Sequence, residues 1–296
     1  MRNMIEDILH QEYADFEFII VDNGSSDGTD RILEEYAQKD RRVKIFHIAE
    51  NSVGYGRNFG ISVSTGEYIA FVDDDDRVPK DFLLFLYTLV ERYHADIAMC
   101  GSVEVFDDYI SPICIFDEKF VMSGKEALKD FLERKHIRAA MPTKLIKRDI
   151  ILKHPFIERY KHEDIHVIYR YLSEASKVVL WGVNKYNFIR HGDNLSYYTS
   201  DQSRWTEAII REYVEAYAER SRFVVRRYPD LYELALYSEW SFMISMVEKI
   251  DRFNIEECRD IQKELAEELG KNRTRFLNMN DIKQFEIEWI NKYIIV

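Results

Sequence analysis

Cysteine is scarce: only Cys100, Cys114 and Cys258 occur, with no Cys-x-x-Cys pair. An odd number at wide spacing excludes a disulfide framework and favours a reducing compartment. Long apolar runs are missing too, since no stretch approaches the roughly 18 residues of a membrane span. Met1 to Glu6 carries no signal-peptide pattern, so a cytoplasmic protein is the expectation, with the inner face of the membrane as the one other location. Basic residues are in deficit: 41 Lys and Arg against 53 Asp and Glu leave a net charge of -12. That argues against a nucleic-acid partner, which needs a basic face to neutralise phosphates. A phosphate-bearing ligand would need local help from a metal, an arginine or a helix N-terminus. There is no internal repeat and no low-complexity segment. Apolar residues at 46% and aromatics at 14% are ample for a packed core, which excludes a disordered chain.

What is present is a run of four aspartates, Asp73 to Asp76, directly after the apolar segment Tyr68-Ile69-Ala70-Phe71-Val72. A buried strand that stops at clustered carboxylates gathers charges that repel one another. A hard divalent cation offsets them and also binds phosphates. The bland alternative is a solvated acidic turn.

The first part of the chain alternates strands and helices. Phe16 to Val21 reads as a strand buried on both faces. Ser25-Ser26-Asp27-Gly28-Thr29 supplies turn and capping residues for a helix over Arg31 to Gln38. Strands are expected at Val43 to Ala49, Glu67 to Val72 and Asp96 to Val105. Helices are expected at Arg57 to Ser64 and from Pro79 to about His94, the latter with Phe82, Leu83, Leu86 and Leu89 on one stripe. This rhythm predicts an α/β fold with a mostly parallel sheet flanked by helices. Ligands in such sheets bind at the carboxyl ends of strands, where Asp22 and Asp73 fall.

From about Ser111 the rhythm changes. Ser123-Gly124-Lys125-Glu126 is a capping box for a helix to about Lys135. Lys161-His162-Glu163-Asp164 opens a helix with Ile165, Ile168 and Leu172 on one face, and Val178 to Phe188 reads as a strand. Beyond Ser200 the chain reads as helical, giving an expected division into 1–197 and a helical appendage over 198–296. Arg220 to Arg227 is a basic, aromatic-containing stretch that reads as a solvated helix face in preference to a membrane-docking one.

Physical chemistry singles out several residues. Asp22 can accept from a base or ribose, and the Asn23 amide can pair with a base edge. Gly24 and the polar residues after it turn the chain into a helix whose N-terminus favours anions, although turn chemistry alone would use the same residues. The Arg57 guanidinium suits a diphosphate. His162-Glu163-Asp164-Ile165-His166 matches the HExxH zinc-hydrolase pattern, but no third ligand follows at the required spacing. Gly54-x-Gly56-x-x-x-Gly60 falls one position short of a dinucleotide fingerprint.

Three segments occur in one order: Phe16-Glu17-Phe18-Ile19-Ile20-Val21-Asp22-Asn23-Gly24-Ser25-Ser26-Asp27-Gly28-Thr29, Gly54-Tyr55-Gly56-Arg57-Asn58-Phe59-Gly60-Ile61, and Gly66-Glu67-Tyr68-Ile69-Ala70-Phe71-Val72-Asp73-Asp74-Asp75-Asp76. Over roughly residues 1 to 195 the ordered set closely resembles the family 2 glycosyltransferases of the GT-A fold. The resemblance implies a metal-dependent, inverting hexosyltransferase acting on a nucleotide-sugar, expected to be a UDP-sugar, with Mn²⁺ or Mg²⁺. Asp22, Asn23, Arg57, Asp73, Asp74 and Lys144 would then bind the donor. Asp73, Asp75 and Asp76 fit the DxD-type element, with Asp75 and Asp76 as metal ligands and His191 as a further metal or phosphate contact. Glu163-Asp164 matches the family's downstream acidic pair, with Asp164 as the base. The acceptor would be a saccharide or a lipid-linked saccharide in surface polysaccharide biosynthesis. The C-terminal helices are the surface expected to meet a membrane or a second copy.

The front of the chain departs from the family. Members begin with a strand ending in a Pro-x-Tyr-Asn-like element, placed in the sheet between the strands at Phe16 and Tyr68. Here Met1 falls within the expected first helix, since Ile5 to Tyr13 matches the segment before the Phe16 strand. The expectation is an N-terminally shortened chain, with a noncatalytic binding or scaffolding protein as the rival reading.

Overall fold

The computed structural model describes residues 1–49, 52–191 and 202–294. The chain divides into two compact units, one of Met1–Leu128 and His136–Arg190, the other of Lys129–Lys135 and His191–Val296.

The first unit opens with helix α1 (Arg2–Leu9), which buries Met4, Ile5 and Ile8 on one stripe. Strand β1 (Phe18–Asp22), helix α2 (Thr29–Lys39) and strand β2 (Val43–His47) follow. α2 buries Thr29, Leu33 and Tyr36, spaced four and three residues apart as one helical face requires. β1 and β2 pair in parallel, with Asp22 opposite His47 at their carboxyl ends. Helix α3 (Val53–Val63), strand β3 (Tyr68–Ala70) and helix α4 (Phe82–Tyr93) complete the regular alternation.

Strand β4 (Ile97–Val105) has its first seven residues buried, as befits a central strand. It is followed by β5 (Ile110–Pro112), β6 (Lys119–Met122), α5 (Gly124–Leu132), β7 (Lys144–Lys147), α6 (Arg148–Lys153), α7 (Ile168–Glu174) and β8 (Val178–Ile189). The Ser123–Glu126 capping box forms: the Ser123 N–H donates to Glu126 Oε2 at 2.8 Å, and the Glu126 N–H donates to Ser123 Oγ at 3.3 Å.

The main sheet has the order β3-β7-β4-β8-β6, with β5 on β4. It is mixed rather than mostly parallel. β4 pairs in parallel with β8, whereas β3–β7, β4–β7, β4–β5 and β6–β8 are antiparallel. The difference arises where strand–helix alternation stops. β4 turns straight back into β5, and a direct hairpin can only be antiparallel. Four-residue β7 wedges between β3 and β4, so those two strands run the same way. The carboxyl ends of β3, β4 and β8 therefore share one edge.

Among the described residues no strand lies between β1 and β3. Glu17 links their neighbourhoods instead. Its Oε1 accepts from the N–H groups of Thr65 (2.6 Å) and Gly66 (3.1 Å), and its Oε2 accepts from Lys44 Nζ (2.6 Å). Burial opposes ionisation there, but these donors win and hold the carboxyl at about 2.

The second unit is helical: α8 (Glu207–Arg227), α9 (Tyr232–Arg252), α10 (Arg259–Lys271), α11 (Arg273–Leu277) and α12 (Gln284–Tyr293). Its core includes Trp240, Ile244, Val247, Leu265, Phe276 and Ile290. Among the described residues no helix is long and apolar enough to cross a membrane.

The β4–β8 register shifts at Cys100/Gly101. A Cβ at Gly101 would lie 2.4 Å from the Gly182 carbonyl oxygen and 2.5 Å from that of Cys114. Backbone cannot move aside as a flexible side chain can. Gly101→Ala is expected to destabilise the protein by about 1–3 kcal/mol, read as a lowered thermal unfolding midpoint; an unchanged midpoint would refute the close approach.

Candidate active site

Asp22 ends β1, the four aspartates follow β3, Arg57 lies within α3 and Glu163-Asp164 open a 3-10 turn. At the end of β1, Asp22 Oδ1 accepts from the Ser25 N–H at 2.9 Å. Its Oδ2 lies 2.8 Å from His47 Nδ1, and His47 Nε2 lies 3.6 Å from Glu34 Oε1. Burial works against the Asp22 charge, yet the Ser25 and His47 bonds bring its carboxyl below the ordinary range. Asp22 and Glu34 together raise His47. Asn23 Nδ2 donates to the Ser52 carbonyl at 3.1 Å, while its Oδ1 is buried without a hydrogen-bond partner. Gly56 makes room for that amide: a Cβ there would come within 2.7 Å of Oδ1. Gly24 adopts φ 87°, a left-handed conformation that suits glycine at the turn.

The four aspartates part company. The Asp73 N–H donates to Tyr186 Oη at 3.1 Å, and Tyr186 Oη donates to Asp76 Oδ2 at 2.7 Å. The Ile189 N–H donates to Asp76 Oδ1 at 2.9 Å. Asp76 is 3% exposed. Burial, and then the charge of Asp73, push its carboxyl up to about 7. Both Asp76 oxygens thus tie the acidic loop to β8. Asp74 is exposed and Asp75 partly buried. His191 is exposed and belongs to the second unit.

Arg57 joins the acidic loop to the downstream acidic pair. One guanidinium nitrogen, Nη2, donates to Asp73 Oδ1 at 3.1 Å, and the other, Nη1, donates to Glu163 Oε1. The guanidinium lies 5.5 Å from the ring centroids of both Phe71 and Phe156. Those rings meet edge to face. Glu163 keeps only 5% of its side chain exposed. Loss of hydration raises its carboxyl to about 7 against the pull of Arg57. Asp73 is raised by the same loss, with Asp75 adding like charge and Arg57 opposing. Burial disfavours the Arg57 charge, but Glu163, Asp73 and Asp164 outweigh it and raise that group.

Asp164 follows Glu163 in a 3-10 turn (Glu163–His166), not in the expected α-helix, which begins only at Ile168. Its Oδ1 accepts from the Ile165 N–H at 2.7 Å. The zinc-hydrolase pattern fails with that helix, because two histidines share a face at i, i+4 only in α geometry. His166 is instead fully buried, stacked on Tyr160 at 3.8 Å between centroids. Among the described residues no three His, Cys, Asp or Glu side chains form a metal cage.

Lys144 is 1% exposed and donates to the Ala140 carbonyl and, at 3.3 Å, to Thr143 Oγ1. Burial lowers its ammonium to about 8, with Asp164 the nearest opposing influence. Its Nζ thus bonds groups of its own chain, the Ala140 carbonyl and the Thr143 hydroxyl. His47 and Tyr186 are the residues that sequence reasoning missed. Parallel pairing of two strands ending at Asp22 and His47 would have signalled the first. Nothing local signals the Tyr186 bond to Asp76, 110 residues away.

Two outcomes follow. Arg57→Ala leaves buried Glu163 without its counter-charge and is expected to lower stability by about 3–5 kcal/mol in urea unfolding; wild-type stability would remove the clamp. A histidine whose pKa is raised by folding stabilises fully below its ordinary value of 6.5, and that contribution is lost as pH climbs through the raised value. The thermal midpoint is therefore expected to fall with rising pH above 6.5, and His47→Asn to flatten that slope.

Comparison with known proteins identifies the scaffold. Residues 1–113 match the family described as Glycosyl transferase family 2. Glycosyltransferase GlyG of Streptococcus pneumoniae is 30% identical over 222 residues, covering 70% of this chain and 71% of that protein. A cholesterol galactosyltransferase of Borreliella burgdorferi is 31% identical over 204 residues, covering 64% of this chain and 56% of that protein. The crystal structure of residues 1–349 of S. aureus TarS superposes with a TM-score of 0.68 at 16% identity, covering 91% of this chain and 74% of that one. The same TarS fragment in complex with UDP-GlcNAc matches at 0.59 and 16% identity, over 83% of this chain and 76% of that one. The chain belongs to the family 2 glycosyltransferases and has their GT-A-like α/β fold, followed by a helical C-terminal region.

Proposed function

We propose that this protein is an inverting glycosyltransferase that moves a sugar from a UDP-sugar to a hydroxyl of a saccharide or lipid-linked acceptor. Surface polysaccharide biosynthesis is the setting we infer from family likeness alone. The observation that carries the reading is the Arg57 clamp, which holds Asp73 of the acidic loop beside the Glu163-Asp164 pair. A donor-binding element and a candidate base are thereby brought into one site from positions far apart in sequence. The TarS fragment seen with UDP-GlcNAc supports the choice of donor.

In this reading Asp22 and Asn23 face the nucleotide, and the buried Asn23 Oδ1 without a partner is suited to accept from a base N–H. Asp73 and Asp75 are hard oxygen donors with mutually repelling charges, which fits Mn²⁺ or Mg²⁺ shared with diphosphate oxygens. When bound, the ion would neutralise charge on the departing diphosphate. Asp164 takes the proton from the acceptor hydroxyl as that oxygen attacks the anomeric carbon from the face opposite the leaving group. Glu163 acts through Arg57, holding the guanidinium, so its part is positional.

The test is calorimetric titration of UDP with Mn²⁺ and again with chelator. Metal-dependent binding is expected, weakened by Asp75→Ala; binding that ignores both would refute the metal assignment. Asp164→Asn should keep UDP binding and lose transfer. Full transfer by that variant would sink the base, and no turnover of any donor by the wild type would favour the noncatalytic reading.

A further inference from the structure

The β4–β5 hairpin projects from the sheet edge that carries the acidic loop. The link is short: Asp76 accepts from the Ile189 N–H, Ile189 sits opposite Val105 in the β4–β8 ladder, and Phe106 follows. Neighbouring strands lie about 4.8 Å apart, so the hairpin root is one strand spacing from the residue that anchors the acids. Four residues, Phe106 to Tyr109, make the turn, closed by the Phe106 N–H donating to the Tyr109 carbonyl at 2.9 Å. The Phe106 and Tyr109 rings stack with centroids 4.3 Å apart and planes 12° apart. Tyr109 is nevertheless 55% exposed and its neighbour Ile110 is 64% exposed. Asp107 and Asp108, also exposed, flank the rings. Behind the turn, Arg190 donates to Glu104 at 2.8 Å, bracing β4 against β8.

An aromatic ring backed on one face and open on the other, with carboxylates beside it, has a definite chemical complement. The ring offers its face to polarised C–H groups, and the carboxylates accept hydroxyl hydrogens. A sugar ring has both features. The tip carries two aspartates and no cation, which makes it a poor match for the donor's diphosphate. A stable protein partner would cover about 800 Å² on each side, more than one four-residue turn presents. The geometry points to the Phe106–Tyr109 turn as a subsite for a neutral saccharide, namely the acceptor chain. This rests on the transferase reading above and adds to it where the acceptor lies.

The experiment is saturation-transfer NMR on the full chain with chitotriose, maltotriose and lactose as probes, beside the UDP titration. At least one probe is expected to bind the wild type. Tyr109→Ala should weaken it about tenfold, the scale of one lost aromatic face, with UDP binding and thermal midpoint unchanged. Tyr109→Phe, which keeps the ring, should retain binding. The inference is overturned if none of the three saccharides binds, or if Tyr109→Ala binds as well as the wild type. It also falls if sedimentation shows self-association that Tyr109→Ala abolishes, which would make the turn a contact between copies. Saccharide binding that depends on Tyr109 without any UDP binding would support the subsite while sinking the donor reading.

Discussion

One guanidinium holds the site together. Asp73 and Glu163 come from segments 16 and 106 residues from Arg57, and the Glu163 carboxylate is removed from bulk water while that of Asp73 is partly exposed. Brought together alone they would repel, and their burial would be uncompensated. Arg57 resolves both problems because its planar fork presents separate donors in fixed directions, which a lysine cannot do. The fork needs a rigid base. Ser52 caps α3 and its Oγ donates to the Glu158 carbonyl at 2.6 Å. On the next turn, Asn58 Nδ2 donates to the Phe156 carbonyl and Asn58 Oδ1 accepts from the Phe156 N–H, both at 2.9 Å. The helix that carries Arg57 is therefore pinned to the segment that leads into Glu163.

A second long-range tie fixes the acidic loop from the other side. The Tyr186 hydroxyl accepts from the Asp73 N–H and donates to Asp76, so one side chain on β8 orients both ends of the aspartate run. Its ring packs against Phe82 and Phe188. Both Asp76 oxygens accept bonds in this tie, whereas Asp73 Oδ1 accepts from Arg57. The division of labour among four identical residues comes from the strand they abut, not from their chemistry.

That distinction sets what could be read from sequence. The strand–helix alternation through Val105, the strand-end positions of Asp22 and Asp73, and the ordered motifs were legible because they are local or periodic. The sheet's direction was not. β7 is four residues long and pairs on both sides through contacts that no pattern within it specifies. The burial of Lys144 was not legible, because lysines are seldom buried, yet a carbonyl and a hydroxyl in its own turn accept its hydrogen bonds. Nor was the tie of Asp76 to β8, because register within a run of like residues has no local signature. His47 was overlooked because its partner becomes visible only when two strands are laid side by side.

The charge balance of the assembled site leads one step further. Asp73, Asp75, Glu163 and Asp164 bring four carboxylates, and Arg57 with Lys144 brings two cations, one of them committed to its own backbone. Even with Glu163 raised toward neutrality by burial, the cluster does not attract a diphosphate by itself. Arg57 already gives one N–H to each of two carboxylates, which offsets much of its charge toward a phosphate. On the proposed function, an anionic donor would enter such a site most readily with positive charge beside it. On that same reading, the acidic run that would repel a free nucleotide would instead favour its metal-bound form. Donor affinity would then depend on the cation, while Arg57 holds the carboxylates of Asp73 and Glu163 in place.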